Sequence, residues 1–116
     1  MGREKLIVEL KAEELIAEVA RLIKKVRYPD NACTHLGNAA DGVYFNLGEG
    51  VAVFSPKKKA NKYDIARGEA KEVQKALTAL VLKGKLTQAD IAVAYDLADC
   101  IIGMLTNMIK KQEARF

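Results

Sequence analysis

Metal ligands and nucleophile–base pairs are scarce in this chain of 116 residues, which has one histidine, His35, and two cysteines, Cys33 and Cys100. The cysteines do not form a C-x-x-C pair and His35 has no second histidine, so no zinc framework can be assembled. Two isolated thiols suit a reducing compartment, where each serves most often as a small core residue. A carboxylate-bridged metal site in a helical bundle needs Glu-x-x-His pairs on facing helices, and one histidine cannot supply them. His35 lies two residues from Cys33, a spacing at which side chains diverge on a helix, so a thiol–base pair is not formed locally. The glycines do not make a phosphate loop either. In "GEGVAV", Val53 stands where the third glycine of G-x-G-x-x-G belongs, and no Gly-Lys-Ser or Gly-Lys-Thr occurs. No catalytic residue, metal or cofactor is expected, and the chain is expected not to be an enzyme.

Membrane signals are also missing. No uninterrupted apolar run approaches the roughly 20 residues of a membrane span. "MGREKLIVELKAEEL" places acids in its first turns and has no signal-peptide apolar region. A soluble, cytoplasmic protein with no membrane partner is expected. With two prolines and 6% aromatics, the composition favours helix.

What is present is helical periodicity. Val8, Ala12, Leu15, Val19, Leu22 and Val26 recur at alternating spacings of three and four, one face of a helix. Tyr63, Ala66, Ala70, Val73, Leu77 and Leu80 repeat the pattern, as do Ile91, Tyr95, Ala98, Ile102, Leu105 and Ile109. Ser55 and Pro56 open the third segment as N-cap and first helical residue, and Gly84 closes it. Thr87 with Asp90 makes a capping box for the fourth. The segment containing "VYFNLGEGVAVF" is contested. Its β-branched and aromatic residues flank a glycine-containing connection, as in a hairpin. Yet Leu36, Ala40, Val43, Leu47, Val51 and Phe54 hold helical register over a longer stretch, and a lone hairpin would have no third strand. The helical reading is preferred. The expectation is one all-α domain over residues 1–116, an antiparallel up-down-up-down four-helix bundle with helices at about 4–27, 32–54, 56–83 and 88–113.

The net charge is +4, and its position carries more information than its size. Residues 31–52 contain no Lys or Arg, whereas residues 53–75 hold seven basic and three acidic side chains. Lys57, Lys58, Lys59 and Lys62 are the candidate phosphate contacts, with Arg67 and Lys71 as weaker ones. The alternative is a solvated helix face on a protein-interaction scaffold that binds no nucleic acid. Ile7, Ile16 and Ile23 on the first helix, and Ala92, Ile101 and Met108 on the fourth, add apolar rows beyond one core stripe and suggest subunit contacts.

The block "NLGEG…S…IARG…E…L" resembles the four-helix-bundle family of ribosomal-RNA intervening-sequence proteins. That family reads approximately N-I-A-E-G, a short basic stretch, a serine, then I-A-R-G-S and E-L. Asn46, Glu49 and Gly50 fall on the first motif, Ser55 on the serine, and Ile65, Ala66, Arg67 and Gly68 on I-A-R-G. Glu72 and Leu77 continue it. Gly37 and Asn38 replace two arginines usual in the family, Val53 stands where Arg is frequent, Lys59 replaces an aromatic, and Glu69 replaces a serine. The resemblance implies a small bacterial cytoplasmic protein without established enzymatic activity. It also implies a ring-shaped homopentamer, and partners that include RNA or DNA and a reverse transcriptase or other protein.

On this reading Asn46, Glu49, Gly50, Arg67 and Gly68 form a structural motif. Gly42, Gly48 and Gly50 are expected where helices approach closely, and Asn46 and Glu49 are expected to face inward. Arg67 is the expected partner of Glu49.

Overall fold

The computed structural model describes residues 5–116. Its elements are α1 (Ile7–Lys25), α2 (Asn31–Ala52), α3 (Pro56–Leu82) and α4 (Gln88–Glu113), and the described residues contain no strand. The contested second segment is therefore helix. α1 packs against α2 and α4, and α3 packs against the same two helices. α1 and α3 are thus diagonal across the bundle. The α2–α3 connection spans only residues 53–55, while α3 is about 40 Å long at the usual helical rise. Such a link can join only neighbouring ends, so successive helices run antiparallel.

Four of the boundaries have a local cause in the side chains or backbone that cap them. The Asp30 carboxylate accepts from Ala32 N–H at 2.9 Å and caps α2. Ser55 Oγ accepts from Lys58 N–H at 3.4 Å, and Pro56 follows as the first residue of α3. Gly84 ends α3 with φ +72°, which lets Lys85 N–H reach Leu80 O and Gly84 N–H reach Val81 O, each at 2.9 Å. Thr87 and Asp90 cap each other's backbone N–H groups at 3.0 and 2.9 Å.

The core stripes of α1 and α3 contain every residue named from their periodicity, all buried. Leu15, Leu22, Leu77 and Leu80 have no exposed surface, and truncating one to Ala typically costs 2–5 kcal/mol. Two stripes need correction. In α4, Tyr95 is exposed and Ile102 is only partly buried, while Ala94 and Ile101 are fully buried. The small Ala94 fits the core, and the Tyr95 hydroxyl stays near water. Ile101 is therefore core, not part of an outer row. In α2, Val51 is only partly buried and Phe54 lies beyond the helix, 97% exposed. The chain turns extended at Val53 to reach the cap of α3, and that turn swings Phe54 outward. Ile16 and Ile23 pack partly against the core, whereas Ile7 is exposed.

α4 also corrects the reading of apolar length. It is long enough to cross a membrane, with a window of mean hydropathy 1.3 that is 28% buried. Isoleucine, leucine and valine raise that mean, helped by alanine, cysteine and methionine, but Asp96 and Asp99 interrupt them, so no unbroken apolar run announces it.

Candidate nucleic-acid interface

α3 begins with Lys57, Lys58 and Lys59 in its first turn, where the positive end of the helix dipole opposes cations. The three lysines have different fates. Lys59 folds back over the 53–55 turn and donates to Gly50 O and Val51 O, both at 3.0 Å. These are among the last carbonyls of α2, which lack helical partners and carry the negative end of its dipole. Lys59 thus ties the end of α2 to the start of α3. Lys57 holds its ammonium 5.9 Å from the centroid of the Phe116 ring. Lys58 is exposed and makes no ion pair among the described residues.

The remaining candidates also divide. Lys62 pairs with Glu49 at 2.6 Å. Arg67 binds Asp64 at 2.7 Å and donates to Thr106 Oγ1 on α4 at 3.2 Å. Lys71 is exposed without an ion pair among the described residues. Lys57, Lys58 and Lys71 thus face outward, while Lys59, Lys62 and Arg67 hold neighbouring elements.

The N-L-G-E-G block departs from its expected arrangement in two places. Glu49 does not face inward and does not meet Arg67. Its side chain is 56% exposed and its partner is Lys62, one α3 turn nearer the connection. The cause is rotational, because Arg67 lies on the α4-facing side of α3. Gly48 is not a close-approach site, since a Cβ there would meet nothing within 4 Å. Gly42 and Gly50 are such sites. A Cβ on Gly50 would lie 2.7 Å from the Tyr63 ring, and one on Gly42 would overlap the Glu69 side chain. Glu69, the residue that departs from I-A-R-G-S, is therefore seated over Gly42. Asn46 is half-buried and donates to Gly42 O at 2.9 Å. Gly68 points into open space.

Sequence reasoning missed three cations and an aromatic. The up-down topology sets the last turn of α4 beside the first turns of α3. A groove of about 410 Å³ lies between them, lined by Lys57, Asn61, Arg67, Ile109, Glu113 and Phe116 among others. Lys110, Lys111 and Arg115 are exposed at this end and form no ion pair among the described residues. Pairing the start of α3 with the end of α4 in the predicted topology would have found them. A second cavity of about 410 Å³, between α1 and α2, is lined by Tyr44, Phe45 and Gly48 and rimmed by Glu9, Glu13 and Glu49. Lys5 there is bound to Glu13. Glu13 and Glu49 on this rim are thus already paired, with Lys5 and Lys62, and the rim offers a polyanion no unpaired cation among the described residues.

At the opposite end of the bundle three cations are held by carboxylates, while Arg27 lies 5.4 Å from the Tyr28 ring centroid and Lys24 is exposed without an ion pair among the described residues. Lys25 meets Asp90 at 2.5 Å, and Lys83 and Lys85 meet Asp30 at 2.8 and 3.6 Å. The Lys83 hydrogen bond, reinforced by the Ala32 N–H, pulls the Asp30 carboxyl from its ordinary 3.8 down to about 2. The Lys25 hydrogen bond and the Thr87 N–H do the same for Asp90. Among the described residues no three His, Cys, Asp or Glu side chains gather as a metal site, and Cys33 is buried while Cys100 is exposed.

Fold and charge together define a small antiparallel helical bundle with one end rich in uncommitted cations. The family model for the 23S rRNA-intervening sequence protein matches residues 4–107, and the chain belongs to that family. It is also similar to a crystal structure of a protein of unknown function from the S23 ribosomal protein family of Bacteroides thetaiotaomicron. The TM-score is 0.85 at 20% identity, covering 90% of this chain and 99% of that one. No curated protein matches.

Proposed function

We propose that the protein is a non-catalytic, oligomeric accessory factor of the cytoplasm that binds nucleic acid through the cationic end of its bundle. One observation carries this reading. Lys57 and Lys58 stand exposed in the first turn of α3, against the helix dipole and without a carboxylate partner. A cation placed there costs a few tenths of a kcal/mol unless an anion answers it, and a phosphate would be attracted by both the lysines and the helix end. Membership in a family named for an rRNA intervening sequence supports RNA as the first ligand to test. Contacts of this kind are to the backbone and tolerate sequence variation.

The exposed apolar side chains Ile7, Leu10, Phe45 and Val93 support self-association. The family resemblance favours five copies in a ring, with a protein such as a reverse transcriptase as a further partner. Light scattering over a range of concentrations tests this part, and a monomer at every concentration contradicts it. The nucleic-acid part is tested by the affinity of wild type and Lys57→Glu/Lys58→Glu for a labelled RNA between 50 and 200 mM salt, concentrations about which such binding changes steeply. The variant should bind more weakly, with the salt slope reduced by about 1.4 on a single strand. Identical curves would contradict the assignment. Lys59 and Lys62 are left intact in this variant because they hold α2 to α3.

A further inference from the structure

We propose that the groove between the start of α3 and the end of α4 takes an unpaired base of single-stranded nucleic acid, stacked on Phe116. This rests on the nucleic-acid reading above and narrows its ligand to unpaired strands. Phe116 is 62% exposed, so its ring buries little within the chain. The Lys57 ammonium sits 5.9 Å from the ring centroid, so a backbone phosphate on Lys57 places the neighbouring base within reach of the aromatic face. The groove beside them holds about 410 Å³. Asn61, exposed on its α3 wall, offers both a donor and an acceptor to a base edge.

The charges around the groove suit a strand that passes along it. Inside, Arg67 is committed to Asp64, and Glu113 is the second carboxylate of the lining. Lys57 lines the groove beside them, and Lys58, Lys110, Lys111 and Arg115 are exposed at the same end of the bundle. Phosphates are therefore drawn to this cationic rim and repelled by Glu113, beside which an uncharged base is tolerated. A duplex presents phosphates outward and has no free base face to offer, so it gains from the rim alone. Stacking of an unpaired base on an aromatic ring tolerates every base, because each has a π-face.

The test uses the full chain with a labelled single strand and the duplex of the same sequence, in RNA and in DNA. Phe116→Ala should weaken single-strand binding about tenfold while leaving duplex binding unchanged. Phe116→Trp should keep the affinity, and because the chain has no other tryptophan its fluorescence should be quenched by the single strand and not by the duplex. Phe116 lies outside the core, so both variants should melt with wild type. If Phe116→Ala binds the single strand as wild type does, while Lys57→Glu/Lys58→Glu binds it more weakly, the stacking site is overturned and the cationic surface stands. If wild type binds neither form, both readings are overturned together.

Discussion

At the end of the bundle holding the α1–α2 and α3–α4 connections, three of the cations sit on carboxylates, while Arg27 lies over the Tyr28 ring and Lys24 is exposed without an ion pair among the described residues. Lys25 meets Asp90, and Lys83 and Lys85 share Asp30. At the opposite end Lys58, Lys110, Lys111 and Arg115 meet no carboxylate among the described residues, and Lys57 faces an aromatic ring. The difference follows from what each end must hold. Two connections converge on the first end, and Asp30 serves at once as the cap of α2 and as the anchor for α3's last residues. The second end is closed by one short turn, tied by Lys59 and by the Lys62–Glu49 pair. The remaining cations there have no internal task. Uncommitted charge, more than total charge, is what supports the proposed nucleic-acid surface.

The largest stability effect expected at the open end concerns its one tight contact. Gly50→Ala would push a methyl into the Tyr63 ring and against Lys62 Cβ, and should destabilise by about 2 kcal/mol in chemical denaturation. A neutral or stabilising result would show that α2 and α3 are not packed as described. Next is Lys59→Met, which keeps the stem but leaves two α2 carbonyls without their donor. A loss of about 1 kcal/mol is expected for half-buried bonds of this kind. Gly48→Ala, two residues from Gly50 but facing open space, should instead gain roughly 0.5–1 kcal/mol from helix propensity.

The smallest effect belongs to the paired end and appears only in acid. Both Asp30 and Asp90 have folded values near 2, below the ordinary 3.8. Their contribution is therefore complete above about pH 4 and is lost as pH falls toward 2. Melting temperatures of wild type should fall across that window more than those of Asp30→Asn/Asp90→Asn, in which asparagine preserves the α2 cap. Parallel curves would mean that these pairs do not stabilise the fold.

The bundle was legible because two of its stripes, Val8 to Val26 and Tyr63 to Leu80, have one periodicity, and the second also has unambiguous caps at Ser55 and Gly84. Where two registers one residue apart were both apolar, as with Tyr95 against Ala94, sequence alone did not decide between them. Side-chain volume and the reach of a hydroxyl to water decided it. The N-L-G-E-G block was legible as helix and as a close approach at Gly50, but Glu49 found Lys62 and not Arg67. Which face of α3 meets α2 is a rotational fact that motif spacing does not encode. The same limit applied to the lysines. A run of three looks uniform in sequence, yet rotation by about 100° per residue turns Lys59 onto α2 and leaves Lys57 and Lys58 outside. Lys110, Lys111, Arg115 and Phe116 became visible only once the ends of α3 and α4 were set side by side.

The most direct test reverses two lysines at each end. Lys57→Glu/Lys58→Glu and Lys83→Glu/Lys85→Glu change the net charge equally. Their affinities for the same labelled RNA, measured at one low salt concentration, separate position from total charge. The first variant should lose about tenfold or more while the second stays within about twofold of wild type. Equal losses in the two variants, or a larger loss in the second, would contradict it.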